Sequence, residues 1–315
     1  MTNELKKTGQ TISVGVLSYN SEATVIETLD SILNQTYDLK KIELIISDDN
    51  SFDETPTIVQ EWLDLHGTNF HRTFFQTSDK NTGISGNFNR ILNQVTSSWL
   101  KPIAADDILM PRCLSDNVEF VSSHPESRIV FSNTIGFKND VSSGVGEFVC
   151  DDEFFKLNAD NQSKSLLKSC SVFAPTSFIC TDLLRGIGGA DERFPMIEDY
   201  PLWLKITSSG VRLYMNDVFS VYYRLGDSVS RGKKTIGNER YLKDSRRFHQ
   251  EYIWPNVSLL ERLDDRVMFF CKLSGIKIFR NRKSIFYKIF YNLMKLIRPL
   301  VIFRKVKLLL TLKPK

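Results

Sequence analysis

Two stretches read as strands that run into polar turns, Ile12-Ser-Val-Gly-Val-Leu-Ser-Tyr-Asn-Ser21 and Ile42-Glu-Leu-Ile-Ile-Ser-Asp-Asp-Asn-Ser51. The first is apolar to Leu17 apart from Ser13 and Gly15, and the second is broken only by Glu43, the pattern of strands buried on both faces. Between them Val25, Ile26, Leu29, Ile32 and Leu33 recur every three or four residues, so a helix is expected to open at Ser21 or Glu22. Thr55-Pro56 reads as the N-cap and first residue of a second helix, with Ile58, Val59, Trp62 and Leu63 as its apolar stripe. Strand, helix, strand, helix predicts a parallel sheet. Further strands are expected at 70–76, 99–104 and 129–132, and further helices at 85–94 and 111–121.

Ligands of open α/β sheets bind beyond the carboxyl ends of the strands. Three polar clusters of this chain are expected there: Tyr19-Asn20, Asp48-Asp49-Asn50 and Asp106-Asp107. Each alone is ordinary turn chemistry, because Asn, Asp and Ser bond their own backbone. Together they make a different case, since converging carboxylates raise one another's pKa unless a cation lies among them. Mg²⁺ or Mn²⁺ takes one or two carboxylates plus substrate phosphates, so the cluster anticipates a nucleoside diphosphate. Neither a Gly-x-x-x-x-Gly-Lys-Ser/Thr loop nor a Gly-x-Gly-x-x-Gly follows the first strand.

Composition removes several other classes. At 315 residues with 42% hydrophobic and 25% charged, the chain is neither disordered nor collagen-like. Its five cysteines are scattered with no Cys-x-x-Cys pair, which argues against a disulfide framework or a cysteine zinc site. His66, His71, His124 and His249 share no metal-ligand spacing. Met1 to Gln10 is polar and unlike a signal peptide, and a cytosolic location is expected.

The motifs resemble a known family. The stretches Ile12 to Asn20, Thr28-Leu-Asp-Ser-Ile-Leu-Asn-Gln-Thr36 and Glu43 to Thr55 are similar in order and spacing to the family 2 glycosyltransferases. Asn81-Thr-Gly83, Ala104-Ala-Asp-Asp-Ile-Leu-Met-Pro111, Gly188-Gly-Ala-Asp-Glu-Arg-Phe194 and Glu198-Asp-Tyr-Pro-Leu-Trp-Leu204 continue the resemblance, which covers residues 11–231. It implies a GT-A fold, an α/β Rossmann-like mostly parallel sheet flanked by helices. It further implies a UDP-, GDP- or dTDP-sugar donor, a divalent metal (Mn²⁺ or Mg²⁺) and inversion at the anomeric carbon.

Carried over by position, Ser18, Tyr19, Asn20, Asn81 and Gly83 would lie along the nucleotide-sugar site. Tyr19 would border the base and Asp49 would hydrogen-bond its edge. Asp106 would contact ribose or metal, and Asp107 would be the principal metal ligand. Ala104 stands where many members carry the first Asp of an Asp-x-Asp triplet. Glu198-Asp199 matches the segment holding the catalytic base, with Asp199 as the base. The same pair also reads as an acidic helix start. Tyr222 to Ser230 resembles a late arginine-containing loop, so Arg224 is placed either on the diphosphate or in a surface ion pair.

Charge divides the chain. Fourteen of the 41 Lys and Arg follow Asp265 and none of the 37 acidic residues do, which leaves the first 265 residues with a net charge of −10. We therefore expect a catalytic domain over 1–235 and a helical, basic extension over 236–315. A helix over 284–298 would carry Ile285, Phe286, Ile289, Phe290, Leu293, Met294, Leu296 and Ile297 on one half. Ser284, Lys288, Asn292, Lys295 and Arg298 would lie on the other half, with Pro299 ending or kinking it and Leu300–Phe303 and Leu308–Leu310 continuing as apolar runs. Such a helix suits an anionic membrane surface, with packing on the catalytic domain as the competing reading and nucleic acid disfavoured.

These readings together predict an inverting transferase that extends a saccharide, lipid-linked in this expectation. The glycan class would be lipopolysaccharide, O-antigen or capsule, and the enzyme would be peripheral on the inner face of the membrane. A nucleotidyltransferase and a catalytically silent GT-A-like binding protein are the alternatives.

Overall fold

The computed structural model describes residues 10–226 and 235–304. Two compact units emerge, Met1–Leu225 and Gly226–Lys315.

The first unit alternates β1 (Ile12–Ser18), α1 (Val25–Leu33), β2 (Ile42–Asp48), α2 (Thr55–His66), β3 (Arg72–Thr77), α3 (Gly83–Gln94) and β4 (Trp99–Ala104). It continues through β5 (Ile108–Leu109), α4 (Cys113–Ser123), β6 (Ile129–Phe137), β7 (Gly146–Phe148), α5 (Asp152–Lys156) and α6 (Ala159–Leu166). It closes with β8 (Phe178–Cys180), α7 (Thr181–Gly186), α8 (Asp199–Ser208) and β9 (Tyr214–Arg224). The strands form one sheet in the order β3-β2-β1-β4-β8-β6-β9-β5, with β7 paired to β6. β3, β2, β1 and β4 are mutually parallel, and β6 and β9 run with them because β8 is antiparallel to both β4 and β6. The expected mostly parallel, helix-flanked α/β sheet is thus the one observed.

All seven residues of β2 are buried, including Glu43. Burial alone would raise the Glu43 pKa, but hydrogen bonds from Ser13, from the Thr96 amide and hydroxyl (2.9 Å each) and from Arg72 outweigh it and hold the carboxyl below its usual range. Ile12, Val14 and Val16 of β1 pack with Ile42, Leu44 and Ile46 of β2 and with Val25, Leu29 and Ile32 of α1, which is why the 2-fold and 3.6-fold apolar patterns coexist here.

Local boundaries differ from expectation in ways the contacts explain. α1 starts at Val25 rather than at Ser21 or Glu22, because the Ser21 and Glu22 amides donate to Thr55 Oγ1 (2.7 Å) and Asp53 Oδ2 (3.1 Å). Thr55 is already inside α2, with Glu54 at the cap position, since its hydroxyl serves Ser21 instead of its own helix. β6 runs five residues past Ser132, stitched to β9 as far as Phe137–Arg224.

The second unit holds α9 (Glu239–Phe248), α10 (Leu259–Ile278) and α11 (Ile285–Leu296). A capping box on Ser258 and Glu261 opens α10, and Ser284 caps α11. α11 packs Tyr287 and Phe290 toward Phe279 at the end of α10, while Ile285, Phe286, Ile289, Leu293, Leu296 and Ile297 stay exposed. The single apolar half read from sequence is therefore two faces. Arg298, expected on the polar face, instead binds the buried Asp264 of α10, with Nε at 3.0 Å. α11 ends at Leu296, and Pro299 opens a further helical stretch over 299–304. Lys305, Lys307, Leu308–Leu310, Lys313, Lys315 and the 227–230 part of the late loop lie outside the described residues. No helix among the described residues is long and apolar enough to cross a membrane.

Candidate active site

The parallel register brings the three polar clusters together. Ser18 pairs with Asp48 and Leu17 with Ala104, so the chain leaves β1, β2 and β4 at adjacent points of one sheet edge. Tyr19-Asn20, Asp49-Asn50 and Asp106-Asp107 follow directly. β9 runs in the same direction and delivers Arg224 to that edge.

The first two loops brace each other. Asn20 N donates to Ser51 Oγ (2.7 Å), and Phe52 N donates back to Asn20 Oδ1 (3.1 Å). Asp48 accepts from Ser51 N (2.8 Å), Ser51 Oγ (2.6 Å) and Ser18 Oγ (3.1 Å). Ser18 is thus buried and turned toward Asp48. Asn20 and Asn50 take the left-handed conformation (φ 48° and 66°), which asparagine tolerates better than other residues with a Cβ.

Asp49 is 2% exposed. Its Oδ1 accepts from Thr82 N, Thr82 Oγ1 (2.9 Å each) and Arg90 Nη2 (2.6 Å), and its Oδ2 from Gly83 N (2.8 Å). The carboxylate therefore caps α3, whose positive end favours an anion. Any hydrogen bond to a base edge must use the remaining lone pair of Oδ2. Asn81 is exposed, and its Nδ2 reaches the Asp49 carbonyl at 3.3 Å. Gly83 has φ +78°, and a Cβ there would collide with the Pro195 carbonyl. Only glycine lets the 189–197 loop sit this close.

Asp107 is buried and Asp106 exposed. Burial, and then the charge of Asp106, push the Asp107 carboxyl well above the usual carboxylate range. Asp107 Oδ1 accepts the Arg224 amide (2.9 Å), and no hydrogen bond among the described residues reaches Oδ2. This is the donor chemistry of a hard-cation site that draws most of its ligands from substrate phosphate and water, and the residues present fit a Mn²⁺ or Mg²⁺ ion. Among the described residues no group of three or more His, Cys, Asp or Glu side chains is placed to hold a metal by itself.

Arg224 is fully engaged. Its Nε donates to the Asp106 carbonyl (2.8 Å), Nη1 to the Lys138 carbonyl (3.3 Å) and Nη2 to Glu27, and its guanidinium lies 4.4 Å from the Phe137 ring centroid. The ion pair with Glu27 is formed in this structure.

Glu198 and Asp199 open α8, and Asp199 Oδ1 accepts the Tyr200 amide at 2.7 Å. Both are half-buried. Burial raises both carboxyls, and the charge of Asp199 adds to the rise at Glu198, which reaches about 8. The preceding loop is tied to the start of α3 by Ser85 Oγ to the Phe194 carbonyl (2.8 Å) and by Asn89 to Ala190 in both directions (2.9 Å each). Glu198 lies three positions after Pro195, so their Cα atoms are within about 11 Å. The helix start that Asp49 caps is thus bound to the loop that leads into the acidic pair. The Cys170 thiol is pushed up to about 12 by burial first and by the Asp199 charge second, and the Tyr200 hydroxyl donates to the Leu166 carbonyl.

Three residues here escaped the sequence reading. Arg90 neutralises Asp49 but looks like any surface arginine of an amphipathic helix. Asn87 reaches the Ser18 carbonyl (3.3 Å) from within α3. Lys101, fully buried, donates to the Pro102 (3.1 Å), Pro175 and Ser177 (3.3 Å) carbonyls and ties β4 to the 174–177 turn. A lysine in an apolar strand run was the available signal.

The family model described as Glycosyl transferase family 2 matches residues 13–181. The chain is 28% identical over 225 residues to the Escherichia coli UDP-Glc:alpha-D-GlcNAc-diphosphoundecaprenol beta-1,3-glucosyltransferase WfaP, covering 70% of this chain and 80% of that protein. Residues 1–349 of Staphylococcus aureus TarS, solved in complex with UDP-GlcNAc, superpose with a TM-score of 0.58 at 21% identity, over 84% of this chain and 72% of that one. The Pyrobaculum calidifontis mannosyltransferase PcManGT, solved in complex with GDP-Man and Mn²⁺, gives 0.52 at 17% identity over 91% and 72%. At these identities the two structures show a shared fold, the GT-A fold. With its family model matched over more than half its length, the chain belongs to glycosyl transferase family 2 and is a glycosyltransferase.

Proposed function

We propose that this enzyme transfers a sugar, with inversion, from a UDP-linked donor to a hydroxyl of a lipid-linked saccharide during cell-surface polysaccharide assembly. The observation that carries the reading is the convergence of Tyr19, Asp49 and Asp106-Asp107 at the carboxyl ends of β1, β2 and β4. The relative WfaP, whose name specifies UDP-glucose and a diphosphoundecaprenol acceptor, supports the substrate classes.

In this reading Ser18, Tyr19, Asn20, Asp49, Asn81, Gly83 and Asp106 line the donor site, and Arg224 braces the Asp106-Asp107 turn. Asp107, beside Asp106, would hold Mn²⁺ or Mg²⁺, and a cation bound there neutralises charge on the departing diphosphate. Asp199 takes the acceptor hydroxyl proton, the oxygen bonds to the anomeric carbon from the face opposite the diphosphate, and the old C–O electron pair leaves with the diphosphate. Glu198, raised to about 8 by burial and by the Asp199 charge, titrates together with Asp199 as one coupled pair.

The second unit supplies the membrane contact. The exposed side chains Ile285, Leu296, Ile289, Leu293, Phe286 and Ile297 span an arc of about 120° on α11, at about 100° per residue. Lys288 and Lys295 lie together along one side of that arc, and no acidic residue follows Asp265. An anionic bilayer matches both features. The enzyme would then sit peripherally on the cytoplasmic face, next to a lipid-linked acceptor.

The test is a thermal shift of the protein with UDP, GDP, dTDP and CMP, each with and without Mn²⁺. Metal-dependent stabilisation by UDP, lost in Asp107→Ala, is expected. No response to any of the four would end the donor reading.

A further inference from the structure

Among the described residues of the catalytic unit Phe52 is the most exposed large apolar side chain, at 83%, and it stands on the ligand edge of the sheet. Single exposed apolar residues are ordinary and usually mean nothing. This one differs in two respects. First, its backbone is held rigidly: the Phe52 amide is bound to Asn20 Oδ1, the preceding Ser51 is held by Asp48 and the following Asp53 by the Glu22 amide. Exposure here is built into the loop and does not reflect slack chain. Second, its ring meets that of Tyr19, itself 45% exposed, at 6.3 Å and 82°.

Two perpendicular rings on adjacent loops form a corner. One wall offers a face on which a flat ring stacks, and the other closes against that ring's edge. The corner follows the ends of β1 and β2, beside Asp49 and on the side of β1 away from Asp106-Asp107, which follow β4. A nucleoside diphosphate whose phosphates lie toward the Asp106-Asp107 turn carries its base to the other end of this edge. Aromatic surface held in water at a fixed angle suits stacking on a planar base, a contact that tolerates a solvent-facing site because both partners are flat and stiff.

We propose that Phe52 is a donor-binding residue that forms, with Tyr19, a two-walled aromatic corner for the nucleotide base. The proposal rests on the donor reading above and adds a contact that reading does not contain. Phe52 therefore contributes to affinity and to choice of base, and takes no part in the displacement at the sugar.

Calorimetric titration of UDP with Mn²⁺ into the wild-type chain, Phe52→Ala and Phe52→Trp tests it. Because Phe52 is exposed and its backbone bonds do not involve the ring, Phe52→Ala is expected to keep the wild-type melting temperature. UDP affinity should fall about tenfold in Phe52→Ala and return to within about threefold in Phe52→Trp, as expected for one stacking wall. In turnover, KM for the donor should rise with kcat unchanged. Wild-type binding of UDP with equal affinity in Phe52→Ala overturns this proposal and leaves the donor reading standing. A rise confined to the acceptor KM also overturns it and moves Phe52 to the acceptor. Failure of the wild-type chain to bind any nucleoside diphosphate overturns both.

Discussion

The main-chain N–H of Arg224 donates to Oδ1 of Asp107 at 2.9 Å, joining the end of β9 to the turn after β4 across 117 residues of sequence. The same arginine returns its Nε to the Asp106 carbonyl and its Nη2 to Glu27. The acidic turn is thus held from behind by one residue that leaves Oδ2 of Asp107 open. The backbone donor fixes Oδ1, while the nearby Lys101 and Arg224 charges offset only part of the rise that burial and Asp106 impose on the Asp107 carboxyl.

Removing that brace should loosen the turn. Arg224→Ala is expected to cost about 1 kcal/mol in chemical denaturation, since the guanidinium's bonds are exposed while the part-buried amide bond survives. Its kcat should fall more than that of Glu27→Gln, which removes only one arm of the brace. Equal activity of the two variants would show that Arg224 does not position the turn.

Asp49 answers to stability as well as binding. Asp49→Ala strips the cap of α3 and leaves Arg90 with no carboxylate partner at that site, a loss of about 3 kcal/mol. Denaturation of the double variant Asp49→Ala with Arg90→Ala should recover part of it, because the stranded charge is gone. A double variant no more stable than the single one would place the cost in the cap alone.

Asp199→Asn should lower kcat by about 10²–10⁴ with UDP affinity unchanged, because the general base touches the acceptor and not the nucleotide. Titration of UDP beside single-turnover kinetics separates the two quantities. Wild-type kcat in this variant removes Asp199 from the chemistry.

Glu198 has a pH signature. Its folded pKa, about 8, lies above the ordinary carboxyl value, so the folded state binds the proton more tightly than the unfolded one. Its stabilising contribution is complete below the unfolded value and is lost as pH rises through about 8. Melting temperatures of Glu198→Gln and wild type should coincide near pH 4 and diverge in favour of the variant up to about pH 8, then run parallel. A constant offset across that range would mean that Glu198 is not perturbed.

The membrane reading is tested on the full chain. Phe286→Glu with Leu293→Glu places two charges in the exposed arc of α11 without touching its contacts to α10, so folding should persist. Co-sedimentation with vesicles containing anionic lipid should be lost, while turnover on a water-soluble acceptor is retained. Wild-type binding should also weaken as salt is raised. Undiminished sedimentation of the variant would rule α11 out as the anchor.

How much of this was legible in the sequence follows from the range of each signal. β1 to β4 and the helices between them were readable because buried strands and one-sided helices write their periods locally, and because a parallel sheet forces its polar turns to one edge. The acidic pair at Asp106-Asp107 and the pair at Glu198-Asp199 were readable as motifs. β5, β7 and β8, two or three residues long, were not, since so short a strand has no period and exists only because a neighbour pairs with it. Tertiary structure alone decided that Asp49 caps α3 through Thr82 and Gly83 with Arg90 as counter-charge. It alone decided that Arg224 is spent on Glu27 and Asp106, and that Arg298 turns inward to Asp264. Each is a partnership between distant residues, and the chain pattern around an arginine is the same whether its charge meets water or a buried carboxylate. Composition and order thus determined the sheet, its edge and the kind of chemistry gathered there. Packing determined which charges are available for that chemistry and which ones hold the site in shape.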